Sequence, residues 1–476
     1  MNSKYADAGV SLETAHALDQ RLKQMLGTGI GLFSGSQLVD LSTYEHPVLV
    51  TTIQHATMQA GVNFKRSGAV VSESCVQRLR QINCNPLFFL DYFAGGKLDV
   101  DSVAACIEGM KQGCGEAMPL LGGETAEMPG VIVPGYYEVV GFAVGVGEAR
   151  ELYHPHSPDT FPFYPQLSGF KKPVLVASVD GVGTKTKVAL MAEKHEGIGQ
   201  DLTHHCGNDI SVCGALPLFF LGYLGTSGSV DPLSDLLGNS LQQGCDSFQC
   251  QSLGLVSCSV RETYEAGQYD LLGLMVGVVE ADAFLDGSNT AAGDVLLGIP
   301  SVGLHTNGYS LARQIFFTDL GWPADQLIAA GVSPEFARQW KIPADVTIGN
   351  ELLKVHQPYG RAIQTLLQNC HPRAFAHITG GGVENIPRVI PSQFQAVIKE
   401  STWPQPFIFP LIEKLGNVPH EEMLRVFNRG IGLVVILPAA EAQRAIQALA
   451  AQGITSYQIG GIDTRASGEP AVTIYP

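Results

Sequence analysis

Residues 180–185 read DGVGTK and place an acid, two glycines, a threonine and a lysine directly after an apolar run. The carboxylate of Asp180 can hold Mg²⁺, which prefers oxygen ligands. Gly181 and Gly183 let backbone N–H groups approach phosphate oxygens. Lys185, next to Thr184, can neutralise the charge on those oxygens. The spacing is not that of a Walker A loop. The segment predicts a phosphate and metal site, with a turn capped by Asp180 as the alternative.

Two further groups of polar residues could contribute to the same chemistry. Asn208 and Asp209 follow DGVGTK closely, and a second carboxylate strengthens the metal interpretation. Earlier in the chain, DYFAGGKLDVD and LLGGETAEMPG supply Asp91, Lys97, Gly122, Gly123, Glu124, Thr125 and Glu127. Paired glycines followed by three polar residues are unusual for a plain turn. We therefore interpret LLGGETAEMPG as part of a site.

The chain matches itself along two segments. PVLV occurs at residues 47–50 and 173–176, PLFFL begins at Pro86 and Pro217, QGC begins at Gln112 and Gln243, and VVGFAVGVGEA from Val139 resembles LLGLMVGVVEA from Leu271. The matches are collinear and their spacing changes slowly. They predict a duplicated domain of alternating strands and helices.

Strands alternating with helices indicate a mixed α/β fold. We expect an N-terminal leader (1–46), a first copy (47–150), a Pro-rich linker (151–171), a second copy (172–283) and a C-terminal α/β domain (284–476). The C-terminal domain contains a predicted helix at 438–453, stopped by a glycine, and a final strand near 457–462.

Each copy has lost the polar residues that the other retains. Residues 54–59 (QHATMQ) stand opposite DGVGTK, Gln77 and Arg78 opposite Asn208 and Asp209, Leu253-Gly254-Leu255 opposite Gly122-Gly123-Glu124, Gly222 opposite Asp91, and Gly228 opposite Lys97. Such a mosaic is expected if each site straddles a pseudo-two-fold interface and only one of two sites survived the fusion. We predict that the copies pack face to face as a pseudo-dimer. Independent drift of two structural copies is the alternative.

Composition narrows the class of protein. The net charge of −16 and the charged fraction of 16% argue against a broad nucleic-acid surface, although local N–H groups still suffice for small anions. No apolar stretch approaches the ~18 residues of a spanning helix, and the N-terminus lacks a signal-peptide core. The ten cysteines show no paired metal spacing. We expect a cytoplasmic protein with reduced thiols that binds neither nucleic acid nor membrane.

Seven segments together carry a resemblance to a known family. YADAGV at residues 5–10, PLFFLDYFAGGKLDVD, LLGGETAEMPG, DGVGTK, HTNGYSLAR, HITGGGVENIPR and GNVPHEEMLRVFNRGIG resemble the motifs of phosphoribosylformylglycinamidine cyclo-ligases, also called aminoimidazole ribonucleotide synthetases. Family members are homodimers that hold ATP between paired N-terminal domains. The resemblance implies ATP-dependent closure of an imidazole ring in de novo purine (IMP) synthesis.

The implied reaction converts formylglycinamidine ribonucleotide into aminoimidazole ribonucleotide. The γ-phosphoryl group activates the formyl amide oxygen, which is otherwise a poor leaving group, and the amidine nitrogen then closes the ring. The products besides the ring are ADP and phosphate.

The resemblance also implies roles for individual residues. Mg²⁺–ATP would be held by Asp180, Asp209, Asp91 and Glu124. ATP would contact Asp180, Gly181, Gly183, Thr184, Lys185, Asn208, Lys97, Gly122, Gly123 and Thr125. The substrate would contact Asn307, Thr379, Gly380, Gly381, Gly382, Asn385 and Arg388. The catalytic residues would be His305, Asp209 and Lys185, with His305 as an acid or hydrogen-bond donor near the amide oxygen.

Three segments depart from the family pattern. Residues 355–359 read VHQPY where the family has a PTRIY-like stretch, GGGVENIPR is one residue short, and the glycine-rich segment 27–35 matches loosely, with Lys23 near it. Two alternatives remain open. One is another ATP-using enzyme of the superfamily, of the selenophosphate or thiamine-phosphate kinase type. The other is a nucleotide-binding regulator without turnover. Internal pairing predicts a monomer, or a weak homo-oligomer.

Overall fold

Three β-sheets and twelve α-helices make up the described part of the protein, which was analysed as a computed structural model. The structure describes Lys4, Ala8, Thr14, residues 17–18, 20–22, 35–38, 44–116, 118–153, 158–167 and 169–476. Most of YADAGV, Lys23, residues 27–34 and the linker residues 154–157 lie outside this description. The chain forms two units. The double-sheet unit is Gly9–Thr186 with Ala215–Asp282, and the single-sheet unit is Met1–Ala8, Lys187–Gly214 and Ala283–Pro476.

The double-sheet unit contains two five-stranded sheets. The strands are β1 (Gly35–Leu38), β2 (Pro47–Gln59), β3 (Asn85–Gly95), β4 (Leu120–Glu127), β5 (Tyr136–Glu148), β6 (Thr160–Phe163), β7 (Pro173–Gly181), β8 (Leu216–Thr226), β9 (Gln251–Ser259) and β10 (Tyr269–Glu280). The first sheet has the order β4-β3-β5-β2-β6 and the second has β9-β8-β10-β7-β1. In both, the first pair is parallel and the other pairs are antiparallel. The repeated PLFFL segments therefore occupy the same place in like-ordered sheets.

Helices cover the first sheet on one face. The helices of the first half are α1 (Phe64–Gln81) and α2 (Val100–Cys114), and those of the second half are α3 (Lys185–Ala192), α4 (Ile198–Ser211) and α5 (Asp231–Phe248). Asn63 caps α1 by accepting from Arg66 N, and Asp99 caps α2 by accepting from Ser102 N. Apolar side chains of α1 and α2 pack on the first sheet. Of the later helices, α5 packs on β8 and β9, while α4 belongs to the single-sheet unit.

The inner faces of the two sheets share one apolar core. Buried residues of β2, β3 and β5 pack with those of β7, β8 and β10. At one edge of this core, Ile132 and Tyr264 form an antiparallel bridge. Val133 N donates to Thr263 O at 2.9 Å, and Glu265 N donates to Val131 O at 2.9 Å. The same short segment of each half thus pairs with its counterpart.

The single-sheet unit contains a six-stranded mixed sheet of order β12-β14-β11-β15-β13-β16. Its strands are β11 (Val295–Pro300), β12 (Ala374–His377), β13 (Phe394–Lys399), β14 (Ile431–Leu437), β15 (Tyr457–Thr464) and β16 (Val472–Tyr475). Its helices are α6 (Tyr309–Arg313), α7 (Pro334–Gln339), α8 (Ile348–Leu352), α9 (Gly360–Asn369), α10 (Ile408–Leu415), α11 (His420–Val426) and α12 (Ala442–Ala451), with short 3₁₀ turns and a π-helical segment at Gln314–Asp319.

The mixed α/β prediction is confirmed. The predicted glycine-stopped helix is present as α12, and Gly453 follows it with φ of 72°. The predicted last strand corresponds to β15, but it is not the last. β16 follows it because the β-branched run VTIY pairs in parallel with β13. Among the described helices, none combines the length and the hydropathy needed to cross a bilayer.

Candidate functional site

The DGVGTK segment forms a sharp turn from β7 into α3. Asp180 and Gly181 are the last residues of β7, and Gly181 N donates to Asp180 Oδ1 at 2.6 Å. Gly183 has φ of 68°, a left-handed conformation that glycine adopts without strain. Lys185 begins α3 and is fully buried, and Thr184 beside it is also buried. The turn therefore brings an acid, two glycines and a buried lysine to the junction of β7 and α3.

The GGETAE segment is strand β4, which pairs in parallel with β3. Gly123 stands opposite Asp91, and a Cβ on Gly123 would lie only 2.6 Å from Asp91 Oδ1. Asp91 is buried, and this burial raises the pKa of its carboxyl from 3.8 to about 7. Glu124 stands opposite Tyr92 and is half-buried. The strand thus holds its acids against β3, and only glycine fits at position 123.

The two predicted loops meet at Tyr92. Strand β4 packs on β7, and β3 also contacts β7. The backbone of Gly181 lies so close to Tyr92 that a Cβ on Gly181 would be 2.8 Å from the phenol oxygen. Tyr92 is also next to Glu124 in the β3–β4 register. The structure therefore brings Gly181 of one half together with Glu124 of the other. Lys97 is exposed beyond the end of β3, and Thr125 pairs with Phe93.

The corresponding place in the other half has a different character. Here His55 takes the position of Gly181, with its ring 5.7 Å from that of Tyr223. His55 Nε2 also lies 3.5 Å from Cys258 Sγ. A histidine of the first sheet and a thiol of the second thus stand at the place equivalent to the one where the Gly181 turn of the second sheet meets the acids of the first.

The strand register corrects one alignment made from the sequence. Gly222 pairs with Leu255 and Tyr223 with Val256, whereas Asp91 pairs with Gly123 and Tyr92 with Glu124. Val256, not Leu255, is therefore the counterpart of Glu124, and Gly254 that of Gly122. Aligning the two copies by residue type alone placed β9 one residue out of register with β4. Insertions before these strands can be located only from the pairing of β4 with β3 and of β9 with β8. The loss of the acid is unaffected, since valine is also apolar.

In the single-sheet unit, His305 occupies a constrained position. It is a non-glycine residue with φ of 63°, and it is buried. Its ring stacks on that of His356 at 4.0 Å between centroids. The backbone N–H of Gln357 points at His305 Nε2 at 3.5 Å. A Cβ on Gly432 would lie 2.7 Å from His305 Cε1, so the glycine provides the room for the ring.

A chain of polar contacts runs from His356 to α4. His356 Nε2 lies 3.0 Å from His377 Nε2, and His377 Nδ1 lies 2.7 Å from Asp209 Oδ1. Asp209 Oδ2 lies 3.7 Å from His205 Nε2. Burial lowers the pKa of His356 well below 6.5, with His305 and His377 adding to the effect. Burial also lowers the pKa of His377, against the opposing charge of Asp209. Burial thus favours the neutral form of both imidazoles.

Asn208 holds the VHQPY segment in place. Its side chain donates to Gln357 O at 2.9 Å and accepts from Tyr359 N at 2.7 Å. Nearby, the backbone N–H of His356 donates to Asp201 Oδ1 at 2.8 Å. The predicted ATP contact Asn208 thus has both amide atoms engaged by backbone of the segment that departs from the family pattern.

The predicted substrate residues gather around the glycine triplet. Gly381 has φ of 93° and Gly382 donates its N–H to Thr379 O at 3.0 Å. Asn385 donates to Gly382 O at 2.7 Å and to Gly380 O at 3.2 Å. A Cβ on Gly380 would lie 3.0 Å from Asn307 Oδ1, and one on Gly381 would lie 3.7 Å from the Arg388 guanidinium. The segment is a tight turn with Asn307 and Arg388 beside it.

Several residues of these clusters were not predicted from the sequence. They are Tyr92, His204, His205, His356 and His377. The adjacent pair His204-His205 on an otherwise amphipathic helix was the one available signal. His204 Nδ1 lies 2.6 Å from His356 O. Tyr92, His356 and His377 could not be recognised because each is an isolated aromatic residue in the sequence. Only the fold places them beside their partners.

Two like-ordered sheets pack around one core, and the chain continues into a third sheet with a histidine and carboxylate cluster. These features define a multi-domain mixed α/β protein with glycine-rich turns. The model for the N-terminal domain of AIR synthase related proteins matches residues 45–147 and 170–279, and the model for their C-terminal domain matches residues 291–472. The chain belongs to the AIR synthase related family.

Two curated relatives carry the same name. A phosphoribosylformylglycinamidine cyclo-ligase of Syntrophotalea carbinolica is 42% identical over 307 residues, which cover 64% of this chain and 84% of the relative. One from Myxococcus xanthus is 39% identical over 309 residues, covering 64% and 85%. A substantial part of this chain lies outside each alignment. Among solved structures, E. coli HypE, a hydrogenase maturation protein, has a TM-score of 0.44 at 18% identity, covering 63% of this chain and 81% of that chain.

Proposed function

We propose that the protein is a phosphoribosylformylglycinamidine cyclo-ligase, which closes formylglycinamidine ribonucleotide to aminoimidazole ribonucleotide at the expense of ATP. The main support for this proposal is that the chain is about 40% identical to enzymes of that name across more than four fifths of their length. The family motifs DGVGTK, GGETAEMPG and HITGGG lie on ordered turns and strands. The reaction consumes ATP, so the double-sheet unit must bind a triphosphate.

The two sheets of the double-sheet unit are, we infer, two copies of one N-terminal domain packed as an internal pseudo-dimer. The like strand order supports this, as does the backbone pairing of Ile132 with Tyr264. A two-fold interface is self-complementary, so equivalent residues contact each other across the axis. In this arrangement a symmetric interface between the two sheets would offer two equivalent sites, and ATP binds at the one that keeps its polar residues. The chain then needs no second chain to complete the site. A monomer is expected in sedimentation, or at most a weak homo-oligomer.

Mg²⁺–ATP fits the residues that meet at Tyr92. Asp180 and Glu124 are half-buried carboxylates that can reach a ligand, and oxygen ligands suit Mg²⁺. Asp91 adds a third acid, whose raised pKa would fall beside a cation. When bound, the ion neutralises phosphate charge. Asp209, the fourth predicted ligand, faces two imidazoles, and that environment suits a different ion.

Separate groups of residues then bind the ATP phosphates and the substrate. Gly183 and Thr184 offer backbone N–H groups to the phosphates, with Lys185 as the cation and Gly181 leaving room beside Tyr92. Gly122, Gly123, Thr125 and Lys97 approach from β4 and the end of β3. Thr379, Gly380 and Gly381 offer N–H groups to the substrate phosphate, Gly382 closes the turn through its bond to Thr379 O, and Asn307, Asn385 and Arg388 surround that turn. The Asn208 amide positions residues 355–359.

His305 is proposed to act at the formyl amide oxygen. The γ-phosphoryl group of ATP is transferred to this oxygen and ADP leaves. The amidine nitrogen then attacks the activated carbon, loses a proton, and phosphate departs as the ring closes. A hydrogen-bond donor at the amide oxygen stabilises the charge that develops on it. The left-handed backbone and the stacking on His356 hold the His305 ring in one orientation.

The deciding experiment gives the purified chain ATP, Mg²⁺ and formylglycinamidine ribonucleotide. We expect ADP release matched one-to-one by formation of aminoimidazole ribonucleotide. ATP turnover with thiamine phosphate or selenide instead would support a different enzyme of the superfamily. Nucleotide binding without any turnover would support a regulator.

None of the ten cysteines, all in described parts of the chain, is in a disulfide, and this supports action in the reducing cytoplasm.

A further inference from the structure

Three potential metal ligands converge inside the single-sheet unit. One ring nitrogen each of His205 and His377 and a carboxylate oxygen of Asp209 all lie within 4.8 Å of one another. Both histidines are buried, and the Asp209 side chain is 16% exposed. Ligands around one ion, at bonds of about 2.0–2.2 Å, stand about 3.3 Å apart, so small side-chain adjustments suffice. The cluster has a path to solvent through Asp209.

The backbone fixes this convergence. His205 and Asp209 are one turn apart on α4, so their side chains share a face of the helix. His377 is the last residue of β12 and is held in register opposite Leu433 of β14. Asp209 presents Oδ1 to His377 Nδ1 at 2.7 Å and Oδ2 to His205 Nε2 at 3.7 Å. One carboxylate thus faces both imidazoles.

The ring nitrogens that point away from the cluster have their own partners. His205 Nδ1 lies 2.9 Å from Thr306 Oγ1, and His377 Nε2 lies 3.0 Å from His356 Nε2. Metal-binding histidines in proteins are oriented by such outer contacts. With an ion bound, His377 carries its hydrogen on Nε2 and donates to His356, so that Nδ1 is left as a ligand. The outer contacts fit this tautomer.

We propose that this chain binds a divalent transition-metal ion of the Zn²⁺ type through His205, Asp209 and His377. Two imidazoles and one carboxylate suit Zn²⁺ or Co²⁺, whereas Mg²⁺ prefers an all-oxygen set. The ion ties α4 to the end of β12 and leaves one coordination position open. This site goes beyond the cyclo-ligase reaction, and its Asp209 is assigned to this ion and not to Mg²⁺–ATP.

The test measures metal binding on the full chain, without ATP or substrate. The protein is stripped with a chelator and titrated with Zn²⁺ by calorimetry, and with Co²⁺ by visible absorption. We expect one tight equivalent, and Co²⁺ bands of a nitrogen and oxygen set without sulfur charge transfer. His205→Ala, His377→Ala and Asp209→Asn should each weaken Zn²⁺ binding at least about 10-fold. His371→Gln removes an exposed histidine that pairs with Glu441, and should leave the tight equivalent intact.

A second variant keeps the test decisive if an alanine variant unfolds. His205→Cys retains a metal ligand, so it should still bind Co²⁺ and should add a sulfur charge-transfer band. Absence of a tight equivalent in the wild type, or tight binding that the His205 and His377 variants leave unchanged, overturns the proposal. A purely hydrogen-bonded cluster gives that result. Because cyclisation is assayed separately on the same preparations, failure of the metal site and failure of the proposed reaction are distinguishable.

Discussion

The phenol of Tyr92 in the first sheet donates a 2.7 Å hydrogen bond to Asp270 in the second. Tyr223, at the equivalent place in the second sheet, donates a 2.6 Å bond to Glu138 in the first. The four side chains are buried. Each contact is the image of the other, and each crosses between the sheets. The pair relates the two halves as a two-fold axis would.

The first prediction separates stability from activity with two matched substitutions. Tyr92→Phe and Tyr223→Phe should each lower the free energy of unfolding by about 1–3 kcal/mol, because each leaves a buried carboxyl without its donor. Tyr92 contacts Gly181 at the proposed ATP site, whereas Tyr223 contacts His55 at the equivalent place between the two sheets. Chemical denaturation should show similar losses, while kcat/KM should fall for Tyr92→Phe alone. Equal losses of activity would argue against a single surviving site.

The second prediction concerns pH. Burial raises the pKa of Glu138 from 4.5 to about 8. The folded state therefore binds more protons than the unfolded state across this interval, and the free energy of unfolding falls as pH rises from 4.5 to about 8. Glu138→Gln mimics the protonated acid and can still accept from Tyr223. Its stability relative to the wild type should increase steadily over that range in denaturation curves. A constant difference would contradict the raised pKa.

The third prediction addresses the mosaic of acids. Asp180→Asn and Glu124→Gln lie in different sheets, and each should reduce kcat/KM by about 100-fold or more, on the scale of losing one contact to a developing charge. The counterpart positions give the controls. Gln54→Asn and Val256→Thr should keep most of the activity, because the positions equivalent to Asp180 and Glu124 carry no carboxylate there. Steady-state kinetics on the four variants test this prediction. A strong loss of kcat/KM in the Gln54 or Val256 variant would contradict a single composite site.

The fourth prediction tests His305 without disturbing its backbone. Asparagine tolerates the left-handed conformation, so His305→Asn should unfold close to the wild-type temperature. Loss of the imidazole should lower kcat by about 10²–10⁴-fold if it donates to the amide oxygen during reaction. KM for the ribonucleotide should change less. A variant with raised KM and unchanged kcat would show that His305 contributes equally to binding in the ground state and in the transition state, and not specifically to the chemical step.

Some of the fold was accessible from local patterns because it depends on neighbours in the chain. The repeated apolar run PLFFL located β3 and β8, and the glycine after α12 ended that helix where expected. The last strand was missed because β16 has four residues and is defined by its pairing with β13. Alignment of β9 with β4 slipped by one residue for the same reason, since register belongs to strand pairs.

The sequence by itself determined the repeated pattern, the family motifs and the loss of polar groups from opposite halves, because these are properties of residue order. Tertiary structure alone decided which side chains meet. Tyr92 reaches Asp270, and Asp209 reaches His377, across separations of 178 and 168 residues. Burial also shifts the pKa of Asp91, Glu138 and His356, because desolvation depends on the atoms packed around a group and not on its neighbours in the chain.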